Sequence, residues 1–313
     1  MIEVKNLTKL YGDRPAIRDL SFKVESGGLV GFLGPNGAGK TTTMKILTGF
    51  MAPSKGEVKI CGIDVFEDPM GAKSKIGYLP EQPPLYLDMK VRDYLKFVAA
   101  LRNVSKDDET LFIDKALESL DLKSVESRMI GHLSKGFRQR VGVAQAIVSQ
   151  PEVLILDEPT VGLDPTQVAH FRELLRELKG KHTIILSTHI LSEVQASCER
   201  VIIINDGHIV AQDTLDNLSE KTTSGVRRVQ VKVRRVKDSF IKDMDSLDYI
   251  QMSTIAGNSI HFDLSGGEDS LEGLSSRIVE SGMGLLEMRV ASERLEDVFL
   301  ELTKNRQASE ARI

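Results

Sequence analysis

The stretch Gly34-Pro35-Asn36-Gly37-Ala38-Gly39-Lys40-Thr41 fits the pattern G-x-x-x-x-G-K-S/T in full and constrains the fold more than any other part of the chain. It follows the apolar run Leu29 to Leu33 and precedes a helix-like segment ending at Gly49, so the sequence predicts strand, tight loop and helix in that order. Gly34, Gly37 and Gly39 allow backbone conformations closed to other residues, which lets successive N–H groups converge on one anion. The helix that follows adds unpaired N–H groups and the positive end of its dipole. Lys40 is expected to reach the β- and γ-phosphates and the Thr41 hydroxyl to ligate Mg²⁺, with Pro35, Asn36, Ala38 and Thr42 completing the phosphate-facing set. A glycine-rich turn that merely joined strand to helix would require neither Lys40 nor Thr41. The ligand this loop implies is a nucleoside triphosphate.

The rest of the first two thirds reads as an α/β fold built around that loop. Ile2 and Val4, then Leu20, Phe22 and Val24, alternate with polar residues as half-buried strands do, with Tyr11 in a turn between them. Glu57 to Ile60 and Ile76 to Leu79 read as further strands, the latter stopped by Pro80-Glu81-Gln82-Pro83-Pro84. From about Asp88 the period becomes helical: Val91, Tyr94, Leu95, Val98 and Leu101 form one stripe, and Phe112, Ala116, Leu117 and Leu120 a second. This predicts an inserted helical region over about 88–150, closed by a helix that carries Val141, Ala144 and Val148 and has Ser134 where an N-cap belongs. Val153 to Leu156 then reads as a buried parallel strand ending in two carboxylates, Asp157 and Glu158. Ligands of open α/β sheets gather beyond the carboxyl ends of the strands, which places this pair beside the phosphate loop. A helix from Gln167 to Leu178 and a strand from His182 to Ser187 lead to another titratable strand end, Thr188-His189, and Asp206-Gly207 marks a hairpin between Val201 to Ile204 and His208 to Gln212.

At 313 residues the chain is long enough for two cores, and the texture changes near residue 220, dividing it into 1–220 and 221–313. After a polar linker, Ser219 to Gly225, Val229, Val231 and Val233 alternate with polar neighbours, as do Ile260, Phe262 and Leu264, and Leu286, Met288 and Val290. With a short helix over 238–244, a strand near Tyr249 to Ile255 and a helix with Leu271, Leu274 and Ile278 capped by Asp269 and Glu272, the order is β-α-β-β-α-β, the ferredoxin-like order. A closing helix carries Leu295, Val298, Phe299 and Leu302. Arg227, Arg228, Arg234 and Arg235 form a basic run that reads as a solvated strand edge. A formal net charge of -4 offers no global basic field for nucleic acid. The apolar stretches fall short of a membrane span, no charged-then-apolar leader opens the chain, and Cys61 and Cys198 lack metal-ligand spacing, so a soluble protein of a reducing, cytoplasmic compartment is expected.

Taken in order, these features make residues 1–220 resemble an ATP-binding cassette (ABC) ATPase subunit, a P-loop NTPase with a RecA-like core, an antiparallel β subdomain and an inserted helical subdomain. Leu133-Ser134-Lys135-Gly136-Phe137 resembles the family's Leu-Ser-Gly-Gly-Gln signature, with Ser134 and Gly136, the phosphate-contacting pair, retained. By the same resemblance Asp157 is the Walker B carboxylate, Glu158 the catalytic glutamate, Gly162-Leu163-Asp164 the D-loop, His189 the switch histidine and Tyr11 the aromatic that stacks on adenine. The family usually has Gln near the Mg²⁺ where the strand after the first insertion ends. Here that place is Glu81, with Gln82 one residue late, and either side chain can be the one that faces the cation.

The resemblance implies two cassettes facing head to tail, each ATP held between one phosphate loop and the partner's Ser134 and Gly136. Thr41, Asp157 and Glu81 would surround Mg²⁺, Glu158 would act on the attacking water and His189 on the γ-phosphate. Glu293 to Thr303 resembles the C-terminal end of ATPases that serve ABC-2 type exporters of drugs or polysaccharides or of gliding-associated machinery. The expected function is therefore an ATPase, a homodimer at the inner face of the cell membrane, that powers export through a separately encoded permease. The competing readings are a soluble ABC ATPase acting on ribosomes or DNA, which would favour two cassettes in one chain, a long coiled coil or strong basic patches, and a regulatory ATP-binding protein without a transport role.

Overall fold

The computed structural model describes residues 1–221, 226–237, 240, 243–244, 247–265 and 268–291. The chain divides into two compact units, Met1–Thr214 and Leu215–Ile313.

Two sheets build the first unit. Strands β1 (Ile2–Tyr11), β2 (Arg14–Val24), β4 (Lys55–Ile60) and β5 (Ile63–Asp64) form an antiparallel sheet in the order β2-β1-β4-β5. A second sheet has the order β10-β9-β3-β8-β7-β6, where β3 (Leu29–Leu33), β6 (Ile76–Leu79), β7 (Val153–Asp157), β8 (Thr183–Thr188) and β9 (Arg200–Asn205) are parallel. Its edge strand β10 (His208–Thr214) pairs antiparallel with β9 through Asp206-Gly207, both at positive φ, as the hairpin signal requires. Every residue of β3, β7 and β8 is buried, which explains their unbroken apolar runs, whereas β2 alternates toward its inner end because only one face is covered. Helix α1 (Lys40–Leu47) contributes Met44, Ile46 and Leu47 to one core with Ile2, Phe22, Phe32 and Ile155, so the helix that starts the phosphate site is anchored by both sheets.

The inserted region consists of α3 (Val91–Leu101), α4 (Lys106–Ser119) and α5 (Lys135–Ile147), preceded by the short α2 (Pro69–Ser74). Two stripe residues differ from expectation. Leu101 is 65% exposed, because the buried face of α3 drifts through Val98 and Ala99 and is continued by Arg102, whose guanidinium donates to the Lys73 carbonyl at 2.9 Å. In α4 the buried residues are Ile113, Ala116 and Leu117, and Phe112 is half-buried beside Ile113. After β7 come α6 (Pro165–Leu178), capped by Asp164, and α7 (Leu191–Ser197).

In the second unit, α8 (Leu215–Lys221) continues through residues expected to open a polar linker. Strands β11 (Val226–Val233), β12 (Ile250–Ala256), β13 (Ser259–Ser265) and β14 (Leu285–Ala291) form an antiparallel sheet in the order β12-β13-β11-β14, the ferredoxin-like arrangement. Its buried face, Val229, Val231, Val233, Ile260, Phe262 and Leu264, packs against Leu274 and Ile278 of α9 (Glu268–Glu280). Asp269, expected as a cap, lies inside the first turn of α9. Of the helix expected over 238–244, Phe240, Asp243 and Met244 are described and helical. The closing helix and the segment Glu293 to Thr303 lie outside the described residues. Arg234 and Arg235 follow β11 at exposed positions.

Candidate functional site

The phosphate loop runs from the end of β3 to the start of α1, and its glycines are set by close backbone approaches. Gly39 has φ 104°, and a Cβ there would meet Ile17 Cγ2 at 2.6 Å and the Ala16 carbonyl at 2.8 Å; one on Gly34 would lie 2.3 Å from the Ile204 carbonyl. The loop is held from below: Gly34 N–H donates to the Thr188 carbonyl at 3.3 Å, and Gly207 N–H donates to the Ala38 carbonyl at 3.1 Å. An open cleft of about 390 Å³ above it brings together Asn36, Gly37, Gly39, Lys40, Thr41, Thr42, Glu81, Glu158 and His189. Ala16 and Val161 also line it. Neither carries a chemical signal in the sequence, and each is there because the fold delivers its backbone to the rim. Pro35 does not line the cleft, but its carbonyl and that of Gly34 accept hydrogen bonds from Lys40 Nζ at 3.1 and 2.7 Å. Ala38 is buried under the loop.

The carboxylates at the end of β7 divide their work. Glu158 is buried, its Oε1 lies 3.2 Å from Lys40 Nζ, and its Oε2 lies 2.9 Å from Nδ1 of the half-exposed His189. Its backbone has φ 49°, an uncommon conformation for a residue with a side chain, and its N–H donates to the Ser187 carbonyl at 2.9 Å. Asp157 is fully buried, with Oδ1 accepting from the Ser187 hydroxyl at 2.8 Å and Oδ2 without a hydrogen bond. Burial raises its pKa, the Ser187 and Thr41 hydroxyls oppose that rise, and the charges of Glu158 and Glu81 add to it. Thr41 lines the cleft above, and Asp157 Oδ2 is left without a hydrogen bond. A hydroxyl and an orphaned carboxylate oxygen at the floor of a phosphate site suit a hard cation that takes its remaining ligands from phosphate and water, as Mg²⁺ does. The charge of Glu81 is felt at Asp157, and Glu81, not Gln82, lines the cleft.

Other expected site residues lie elsewhere in the chain. Ser134 caps α5, accepting from Phe137 N–H at 3.4 Å, and with Gly136 it lines a separate cavity of about 260 Å³ formed with α6. A Cβ on Gly136 would meet Gln167 Oε1 at 2.6 Å. Asp164 is exposed and caps α6, accepting from Gln167 N–H at 3.0 Å. Lys135, the departure from the signature, lays its side chain over Gly162, so signature and D-loop touch in the same chain. Tyr11 is the last residue of β1, paired with Arg14 and not in the turn; it is half exposed, with its hydroxyl 3.1 Å from Met51 Sδ, and it does not line the cleft. Sequence reasoning passed over Gln139, whose side-chain amide donates to the Pro159 carbonyl at 2.7 Å, and Glu193 on α7, which accepts from Thr160 and Thr188. A period-based reading has no means of finding them, because their bonds run to partners on other elements and α7, which carries Glu193, is only two turns long.

A phosphate loop, strand-end carboxylates and an inserted helical region with a capping serine define a P-loop NTPase of the cassette type. Residues 17–161 match the ABC transporter family. The chain is 32% identical over 305 residues to the bacitracin transport ATP-binding protein BcrA of Bacillus licheniformis, covering 96% of this chain and 97% of that one. It is 34% identical to the Nod factor export ATP-binding protein I of Burkholderia lata, covering 96% of each. Among solved structures, the dimeric post-hydrolysis state of the ATP-binding cassette MJ0796 with ADP and Pi superposes with a TM-score of 0.62 at 26% identity, covering 69% of this chain and 99% of that one. The chain belongs to the ABC transporter ATP-binding proteins, and it is an ATPase of that family. Among the described residues no helix is long and apolar enough to cross a membrane.

Proposed function

We propose that the chain hydrolyses ATP to power export through a separately encoded membrane permease, acting as a pair of identical subunits on the cytoplasmic face of the membrane. The observation that carries the chemistry is the buried Glu158 carboxylate held between Lys40 and His189 in the phosphate cleft. Lys40 is placed to neutralise the β- and γ-phosphates, and the N–H groups from Asn36 to Thr41 to cradle them. Thr41, Asp157 and Glu81 are the residues that would hold Mg²⁺, which, when bound, neutralises charge on the phosphate oxygens. Glu158 is positioned to orient or deprotonate the attacking water, and His189 to bond the γ-phosphate while its other nitrogen engages Glu158.

Since Ser134 and Gly136 line a different cavity from Lys40, the complete site is read as forming between two chains, with Ser134 and Gly136 of one closing on the nucleotide of the other and Asp164 beside them. Tyr11 would stack on the adenine at the outer edge. Loss of the γ-phosphate removes the bridging contacts and lets the pair open. The expected docking place for a permease helix is beside Glu81 to Tyr86, where the exposed rings of Tyr86 and Phe97 pack 5.5 Å apart and Leu87 is exposed. The similarity to a bacitracin transport protein and a Nod factor export protein supports the same role here. The substrate would lie in the permease.

Two measurements test this reading. Glu158→Gln is expected to bind ATP normally and to lose turnover by roughly 100-fold or more, which phosphate release and fluorescent-nucleotide titration would separate. Purification of the native chain from gently solubilised membranes is expected to bring down a multispan partner in fixed stoichiometry. Recovery bound to ribosomes or DNA instead would overturn the transport role.

A further inference from the structure

Glu193 is buried to 3% exposure on α7, and its carboxylate, unlike that of Glu158, forms no ion pair among the described residues. Its two oxygens are each taken by a hydroxyl. Thr160 Oγ1 donates to Oε1, and Thr188 Oγ1 donates to Oε2 at 2.8 Å. Both threonines are themselves buried. The orientation at Thr188 is fixed further, because its oxygen already accepts from Ile190 N–H at 3.1 Å and its proton is therefore committed to Glu193. A buried carboxylate without a cation is expensive, and charge-assisted hydroxyl bonds are what make it tolerable. An apolar side chain would fill the same space at lower cost, so the acid is retained for what its two acceptors join.

What they join is the backbone of the two hydrolytic side chains. Thr160 lies two residues after Glu158, and Thr188 immediately precedes His189. The Glu158 backbone is held at φ 49°, and the turn that leaves it is gripped on its other side by Gln139, whose amide donates to the Pro159 carbonyl at 2.7 Å. A non-glycine residue in that region persists only where its surroundings over-determine it. Across the gap, Glu158 Oε2 and His189 Nδ1 are 2.9 Å apart. A carboxylate accepts both hydroxyl protons at once; an amide here could still accept from Thr188 and donate to a turned Thr160 hydroxyl, whereas an apolar side chain of similar size keeps neither bond.

We propose that Glu193 is a positioning residue that fixes the spacing of Glu158 and His189 by clamping Thr160 and Thr188 from beneath. This rests on the roles given above to Glu158 and His189. Glu193 does not reach the cleft, so its removal should loosen the pair without touching the nucleotide. Misplacing a catalytic group by about 1 Å costs on the order of 100-fold in rate, and partial loss of the clamp is expected to cost roughly tenfold.

The test uses the full chain with Glu193→Leu, Thr160→Val, Thr188→Val, Thr160→Ser and Thr188→Ser, with Glu158→Gln run beside them. The expected result is that kcat falls roughly tenfold in Glu193→Leu and in each valine variant, while fluorescent-ATP affinity stays within about twofold. The serine variants, which keep the hydroxyl, should return kcat to near the unmodified value. Unchanged kcat in Glu193→Leu and both valine variants would overturn the clamp, as would parallel loss of kcat, ATP affinity and thermal midpoint, which marks a merely structural role. If Glu158→Gln itself turns over normally, the assignment of Glu158 fails instead; if it is inactive while the clamp variants are not, the clamp alone fails.

Discussion

Glu158 and Gly39 show how the site is made by backbone as much as by side chains. At Gly39 the positive φ and the nearby Ala16 carbonyl leave no room for a methyl group, so Gly39→Ala is expected to abolish ATP binding, measured by fluorescent-nucleotide titration, while leaving the thermal midpoint of the nucleotide-free chain lowered by a few degrees. The pattern G-x-x-x-x-G-K-S/T made this residue legible, since its chemistry is local. Glu81 was legible only as one of two candidates, and it is the fold that turns it, and not Gln82, to the cleft. His182 gave no signal at all. It is buried with Nδ1 donating to the Pro151 carbonyl at 2.6 Å, and burial holds its pKa below the ordinary value. Because the unfolded chain then takes up its proton first as pH falls, stability should be full above about pH 6.5 and decline below it. Thermal midpoints of the native chain and His182→Gln between pH 8 and pH 5.5 should converge on the acid side.

At the scale of elements, the signals that succeeded were continuous apolar runs and turn chemistry. Strands β3, β7 and β8 are buried along their whole length and so carry unbroken Val, Ile and Leu, and the β9–β10 hairpin is marked by Asp206-Gly207. Periodicity failed where a helix face drifts, as at Leu101, or where an element is too short to show a period, as at α7. Helix α5 illustrates the limit of propensity. Gly142 in its interior would ordinarily be improved by alanine by about 1 kcal/mol. Here the added Cβ would stand 2.8 Å from Leu79 and 2.9 Å from Pro83, so overpacking of about 1–3 kcal/mol is expected to win. Gly142→Ala should lower the midpoint of chemical denaturation, and a rise would mean that the Pro83 loop yields freely.

For the whole molecule, the separation of Ser134 from Lys40 within one chain is the fact with the widest reach. With ATP and Mg²⁺, Glu158→Gln is expected to run at twice the mass of a single chain in light scattering, and Ser134→Arg in that background to remain single. A stable pair in the double variant would remove the signature serine from the interface. The pairing of chains cannot be read from periodicity; the β-α-β-β-α-β order of the second unit was legible in its alternating strands, whereas the return of β14 to the edge beside β11 is set by the fold.

The central strand β3 has its ladder partners in β8 and β9, and the loop beyond it is tied to Gly207 by Ala38, with Arg18 N–H donating to the Gly207 carbonyl at 2.7 Å. A growing chain therefore carries residues 34–41 long before the flanking strands of β3 and the Gly207 turn exist, a delay on the order of ten seconds at ordinary rates of synthesis. The part of the protein that is translated early is completed late. A ribosome stalled ahead of Thr183 would display the whole loop sequence with no strand on either side of β3, and capture of ATP by nascent chains should begin only once the stretch ending at Gly207 has emerged.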